Sequence, residues 1–465
     1  MKTYILRSLT LSLMFSLATF TAWGQDIYFF NDSHHQSLHL NPAKRLNHRF
    51  NLVLPAGYMS TNVYGSHSFN QIFSENTETG KYQIDLDQLY EQSTDGAFSE
   101  VDFSFELFGA YYKSDKYTAF LSVREKVFSE VGTSPELLEF MAKGPASKTD
   151  YTWNLAPVFD LQYLREVKIG GSYKVNDRLN IGGAINYQQG VQSFKIQEEG
   201  NISVTQGGAP NYPITTSSDL IILTTTSLGD FDTENNTYEL VESDEIISQA
   251  ISPSNKGFTI DLGATFKLTD KINLETSILN LGTGVVWKND ITGYKVTLDN
   301  VSFEGLDPAE LQGDNADSES STSFASDSLL SYENISEGVE AYYIGQPTVW
   351  NIGGSYELYK NLTAGVLLTN KFYNDRVNTG LGIYIDQGLG DFLNVGLGYK
   401  IDSFGSQLGA SLALGFPGFK LYMSADNAFG PMIGGGLGTK RLNVNTGMAI
   451  QIGRSKEQRY PAKLK

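Results

Sequence analysis

The chain has no cysteine and only five histidines, all between His34 and His67. The missing cysteine excludes disulfide staples, thiolate metal sites, iron–sulfur clusters, a catalytic thiol and a lipidated N-terminal cysteine. The confined histidines leave a Ser-His-Asp hydrolase with no base over most of the sequence. Cations are also few. Thirty-four Lys and Arg against 52 Asp and Glu give a net charge of -18, the wrong sign for a nucleic-acid partner. Beyond the first 24 residues no apolar run is long enough for a membrane helix, which needs about 20 residues. What is present is 46 Gly, 26 Tyr and 27 Phe in 465 residues. That is too aromatic for a disordered polymer. It is also too long for one ordinary domain of about 100 to 200 residues, unless the fold is a large barrel.

Lys2 and Arg7 precede an apolar run from Leu9 to Phe20, and small residues follow at Ala22 and Gly24. This pattern predicts an export signal over residues 1–24 and a mature chain from near Gln25. An exported chain without a helical anchor is either soluble or a membrane β-barrel.

Period-two alternation decides between them. Phe258, Ile260, Leu262, Ala264 and Phe266 share one face, and Thr259, Asp261, Gly263, Thr265 and Lys267 the other. The same grammar recurs around Ile272, Trp350, Leu408 and Leu442. Alternation over about ten residues matches a tilted membrane strand; strands of soluble sandwiches are nearer 5 to 6 residues. Fourteen such strands begin near Phe50, Val101, Lys116, Asp160, Arg178, Gly257, Lys271, Pro347, Asn361, Arg376, Asp391, Phe404, Gly418 and Arg441. Every even connection is a short turn, whereas the odd ones include all the long stretches: 66–99, 133–157, 198–256, 285–344 and 427–440. Short periplasmic turns alternating with longer outer loops characterise bacterial outer-membrane barrels.

The fold expected is therefore all-β, an antiparallel transmembrane barrel of about 14 strands over residues 49–453. Residues 25–48 form a lumenal or periplasmic N-terminal segment, residues 198–256 and 285–344 long acidic outer loops, and residues 454–465 a basic periplasmic tail. Asn180, Asp261, Glu275, Asn351 and Glu357 should line the lumen, and Ile181, Leu262, Leu274, Ile352 and Leu358 should meet lipid. On this wet-lumen picture Leu262→Arg should impair assembly and Asp261→Asn should be mild. Tyr111, Tyr112, Trp287, Tyr359 and Tyr373, near strand ends, fit interfacial girdles. The N-terminal segment is the right length to enter the void that so many strands leave.

Chemistry is sparse. His35 and His39 share a helical spacing but lack an H-E-x-x-H arrangement. Gly434 to Lys440 is glycine-rich but has Gly-Thr-Lys where a phosphate loop needs Gly-Lys-Ser/Thr. The acidic loops match no EF-hand spacing. No cofactor, metal or catalytic residue is expected, and the protein reads as a non-enzyme.

Leu40-Asn41-Pro42-Ala43 resembles the Asn-Pro-Ala element of several outer-membrane barrels, including the long-chain fatty-acid transporter (FadL) type and the PorP/SprF and PorV kinds. Together with the stretch from Val167 to Gly190, it is similar to a Bacteroidota family of unknown function, domain of unknown function 5723. The resemblance implies an outer-membrane barrel, with Asn41, Pro42 and Ala43 as the N-terminal motif, and no agreed activity. The basic tail and long acidic loops depart from a simple fatty-acid channel. The reading carried forward is a structural or accessory barrel that presents acidic loops outside the cell and serves a secretion or motility machine. Its partners would be outer-membrane lipid and proteins met at the loops or tail, with no nucleic acid. The alternative is a channel for a small, FadL-type hydrophobic solute.

Overall fold

The computed structural model describes residues 28–454, apart from 32–33, 56, 76–81, 198–201, 208–213, 219, 226–228, 233–236, 241–253, 299–301, 304–329, 335–338, 374–375, 391, 417 and 426–439. The segment expected to be an export signal, the tail after Arg454 and much of the acidic loops, including Glu234, Glu242, Asp244 and Glu245, lie outside the described residues.

Fourteen antiparallel strands close into a barrel. Strand β1 comes in two pieces, His48–Val53 and Tyr58–Gly65. It is followed by β2 Ala97–Lys113, β3 Tyr117–Thr133, β4 Val158–Lys174, β5 Leu179–Ile196, β6 Asn255–Lys267 and β7 Ile272–Trp287. The second half is β8 Thr348–Tyr359, β9 Leu362–Tyr373, β10 Arg376–Leu389, β11 Leu393–Asp402, β12 Gly405–Phe416, β13 Phe419–Ala425 and β14 Arg441–Arg454. Each pairs with its sequence neighbours, and β1 pairs with both β2 and β14, so no edge remains in the wall. The break in β1 falls at Pro55, which has no N–H for the ladder. The wall stays closed there, because Met448 N donates to Gly57 O at 2.6 Å.

The short connections use side chains that cap their own backbone. Ser114 Oγ accepts from Tyr117 N at 2.9 Å, Asn176 Oδ1 from Leu179 N at 2.9 Å and Thr269 Oγ1 from Ile272 N at 3.0 Å. Such Asx- and Ser/Thr-turns supply the tight reversal that a hairpin needs. Asn361, at φ 62°, turns β8 into β9. These four turns, with the β10–β11 and β12–β13 connections, lie at one end of the barrel.

At the other end the sheet continues beyond the barrel. β5 pairs with Leu220–Thr225, which pairs with Ile291–Leu298, which in turn pairs with Leu330–Asn334. A separate four-stranded sheet joins Tyr151–Asn154 to segments of the two longest connections. Four α-helices are described: α1 Ser37–Leu40, α2 Phe69–Ile72, α3 Leu86–Gln92, capped by Asp85, and α4 Pro135–Lys143, capped by Ser134. Asp230, Asp232 and Glu239 fall in a two-stranded hairpin of the β5–β6 connection. These outer elements were not anticipated from the sequence.

The wall has an apolar exterior. Ile181, Leu262, Leu274, Ile352 and Leu358 are all exposed, as are Ile383 and Leu397. A closed wall with this surface is built for a bilayer. The aromatic girdle needs correction. Tyr112 and Tyr359 are on the outside, but Tyr111, Trp287 and Tyr373 are buried. For Tyr111 the reason is a bulge in β2 between Glu106 and Phe108. It switches the inward positions from Asp102, Ser104 and Glu106 to Gly109, Tyr111 and Lys113, as one extra residue in a ladder must. In β7 two register shifts against β6, one on either side of Leu281, cancel each other, so Trp287 recovers the inward parity of Glu275 despite its place at a strand end.

Candidate functional site

The barrel interior is occupied by the chain's own residues 28–31 and 34–47. Asn31 Nδ2 donates to Asp386 Oδ2 at 3.0 Å and to Asn394 Oδ1 at 2.8 Å, tying the segment to β10 and β11. Phe29 and Phe30 lie against Gly353 and Gly365, and Tyr28 packs edge-on to Tyr422. Helix α1 then lies within the lumen, with Leu38 and Leu40 buried in a cluster that includes Tyr58, Tyr111, Phe120 and Tyr422.

Beside α1 lies Glu106, which is fully buried. It accepts from Tyr111 Oη at 2.6 Å and Ser122 Oγ at 2.7 Å, and His35 Nε2 lies 3.3 Å from its carboxylate. His39 Nε2 is 3.0 Å from Tyr111 Oη. Burial, reinforced by nearby Arg124, pushes the His39 pKa down to about 3, so its ring is neutral at pH 7 and acts through hydrogen bonds.

The Asn-Pro-Ala motif follows. Asn41 Oδ1 accepts from Ala43 N at 3.0 Å, an Asx turn that fixes the motif's shape. Ser277 Oγ donates to Leu40 O at 2.6 Å. The motif rests on bare backbone. A Cβ at Gly182 would sit 2.3 Å from Pro42 O, and one at Gly263 would sit 2.1 Å from Asn41 Oδ1. Glycine is therefore required at both positions for contact, not for its φ freedom. Gly182 belongs to the Val167–Gly190 stretch, so the two segments behind the family resemblance touch each other. Lys44 Nζ then pairs with Glu275 at 2.5 Å, and Arg45 Nη2 donates to Ser114 O at 3.0 Å in the β2–β3 turn. From there the chain enters β1.

The residues expected in the lumen are placed as follows. Asp261 is 1% exposed. It pairs with Lys168 and accepts from Asn186 Nδ2 at 2.9 Å and Asn280 N at 2.8 Å. Asn351 is buried, and its Nδ2 donates to Ser277 Oγ at 3.2 Å. Asn180 is half-buried against Thr265, at 3.1 Å. Glu275 holds Lys44, whereas Glu357 is exposed at the short-turn end. Sequence reasoning missed Glu106 and a network in which Glu166 takes both Arg124 and Lys126. A signal existed. Arg124 and Lys126, like Glu166 and Lys168, stand two apart on one face of a strand, a pattern unsuited to lipid.

Past α1, towards the long-connection end, the lumen holds a cavity of about 190 Å³ that reaches from His39 and Leu40 to Phe404. Its lining is mostly polar or charged. Among the described residues no group of three or more His, Asp and Glu is arranged to hold a metal.

No curated protein matches the sequence. Solved structures that resemble the fold include the P. putida toluene transporter TodX, at 10% identity and TM-score 0.44, covering 91% of this chain and 95% of that one. Another is a Pseudomonas aeruginosa FadL homologue, at 13% identity and TM-score 0.41, covering 92% and 94%. The Ralstonia pickettii toluene transporter TbuX follows at 10% identity and TM-score 0.33, covering 91% and 95%. The profile of a family of unknown function (DUF5723) matches residues 42–426, from within the Asn-Pro-Ala motif to the end of β13, and the chain belongs to that family.

Proposed function

We propose that the protein is a non-enzymatic outer-membrane barrel whose lumen is closed by its own N-terminal segment. It would act as a structural or accessory barrel, offering its long-connection face to a protein partner outside the cell. One observation carries this reading: residues 28–31 and 34–47 are fastened from Asn31 through Lys44 to Arg45 across the interior. An open channel has no use for so many buried ties. The alternative, a path for a hydrophobic solute, calls for a continuous apolar route, whereas in the cavity beyond α1 Lys, Arg and Asp interrupt apolar side chains such as Phe128, Leu164 and Leu279. The experiment is affinity capture from detergent-solubilised membranes, paired with bilayer conductance of the purified barrel. A stable protein partner and a silent bilayer support the accessory role. Solute-dependent conductance without a partner would shift the assignment to transport.

Orientation is part of the proposal. Short turns face the periplasm in barrels of this kind, so the β3–β4 connection should lie outside the cell and the β8–β9 turn inside. Thr149 and Lys360 are both exposed. In intact cells an impermeant thiol reagent should label Thr149→Cys strongly and leave Lys360→Cys at background. The reverse pattern would invert the topology.

A further inference from the structure

We propose that the cavity beyond α1 binds a small, neutral, polyhydroxylated ligand, a single sugar ring, entering from the long-connection end. Its lining charges are already matched. Glu166 holds Arg124 and Lys126, and Asp261 holds Lys168. Glu100 takes Lys371 at 3.0 Å, with Arg376 on Glu130, and Asp402 takes Arg441 at 2.7 Å with Lys400 at 4.0 Å. What the wall leaves open is a set of neutral groups. Asn62 and Ser104 line the cavity, are 9% and 7% exposed, and make no side-chain hydrogen bond to a described residue. Thr369 Oγ1, on the opposite wall, is likewise buried without a partner. Buried polar groups are nearly always hydrogen-bonded, so three that converge on one space point to something held there.

The strand register gathers these groups. Asn62 of β1 stands opposite Asp102 of β2, and Ser60 stands opposite Ser104. Side chains paired in this way have Cβ atoms about 4.5 to 5.5 Å apart, so the amide, the carboxylate and the hydroxyls can reach one ligand together. Phe128 of β3 stands beside Asp102, and Tyr64 follows two residues after Asn62 on the same face. Both rings line the cavity. A sugar ring has the matching duality. The hydroxyls at its rim donate and accept, and the C–H bonds on its faces pack against aromatic carbon.

Asp102 decides the charge of the ligand. It makes no hydrogen bond or ion pair with a described residue, and it lies in the field of Lys126 and Arg124. An anion would meet the Asp102 carboxylate, and an amine would meet the two cations. Neighbouring hydroxyls, in contrast, can both donate to one carboxylate, which only accepts. Room limits the ligand as well. The cavity is about 190 Å³, against roughly 300 to 1,000 Å³ for drug-sized ligands. His39 and Leu40 belong to its lining, so the site requires the N-terminal segment in place.

The test uses the full-length protein in an amine-oxide detergent, which carries no sugar headgroup. It is titrated calorimetrically with D-glucose, D-galactose, D-mannose and N-acetyl-D-glucosamine. At least one should bind, and the 6-phosphate and 2-amino forms of the tightest binder should bind more weakly. Asn62→Ala and Ser104→Ala should each weaken binding about three- to tenfold, the loss of one hydrogen bond. Neither side chain has a described hydrogen-bond partner to lose, so both variants should keep the parent's heat-modifiable migration. Thr369→Val, on the opposite wall, replaces either one that misfolds. Asp102→Asn should turn the preference towards the 6-phosphate, because Arg124 and Lys126 then face the ligand with less opposing charge. Glu357→Gln, at the short-turn end, should bind as the parent does. Absence of binding by all four sugars, tighter binding of a charged form by the parent, or unchanged affinity in the folded variants overturns the site.

Discussion

A variant lacking residues 26–48 behind an intact export signal should assemble and conduct where the parent does not. A barrel of eight strands is nearly filled by its own side chains, whereas sixteen to eighteen leave an aqueous channel. Fourteen strands fall between, and here the lumen is filled by Tyr28, Phe29, Leu38 and Leu40 from the N-terminal segment. Their removal empties the level of Tyr58, Tyr111 and Tyr422 and strands Glu106 and Glu275 beside water instead of His35 and Lys44. The wall ladders themselves involve none of the deleted residues except His48 at the start of β1. Single-barrel conductance should rise on the order of tenfold or more, with sensitivity to bulky antibiotics rising alongside. Gly263→Val offers a milder form of the same experiment. Its Cβ would meet Asn41 Oδ1 at 2.1 Å and Pro42 Cδ at 3.0 Å, so the motif must lift while the strand remains. That variant should conduct intermittently. A deletion variant that migrates as a folded barrel yet stays as tight as its parent would show that other residues close the lumen.

The wall was legible in the sequence because its code is local. Alternation at period two names the face of each residue, and the parity of loop lengths names the end of the barrel at which each turn lies. All fourteen strands follow from those two rules. Failures occur where the code is interrupted. A place near a strand end puts Tyr111 in the interfacial girdle, but the bulge after Glu106 inverts the parity of β2 and turns it inward, where its hydroxyl bonds a buried carboxylate. The outer strands such as Leu220–Thr225 carry no period long enough to distinguish them from loop. Contacts across the lumen are a harder case. Ser277 meets Leu40 across 237 positions, and Gln162 meets Gly345 across 183. No pattern within a strand announces such partners, which depend on closure of the barrel. Glycines at inward positions lie where the N-terminal segment presses on the wall: Gly182 under Pro42, Gly263 under Asn41 and Gly353 under the rings of Phe29 and Phe30. Nothing in the strand pattern set them apart from other small lumenal residues, although glycine within a strand often marks such a close approach.

The same closure changes the expectation for Asp261→Asn. A wet lumen would tolerate the loss of one carboxylate, and the alternating pattern gave no reason to think the lumen dry. In the folded chain Asp261 and Lys168 are each about 2% exposed at the side chain and form an ion pair. Removing one partner of a buried pair leaves the other charge uncompensated, which costs about 3 to 5 kcal/mol. Leu262→Arg, on the apolar exterior, costs about 2 to 4 kcal/mol if it sits near the bilayer midplane. The two neighbours should therefore be damaged to a similar degree, for opposite reasons. A rescue separates them. Adding Lys168→Met to Asp261→Asn removes the stranded ammonium and should restore most of the denaturant midpoint, while adding it to Leu262→Arg should not. The measurement is loss of the heat-modifiable form against urea, in lipid vesicles, for the parent and the four variants. Parent-like stability of Asp261→Asn alone would mean that Lys168 is solvated and that the lumen at the level of β4 and β6 is open to water.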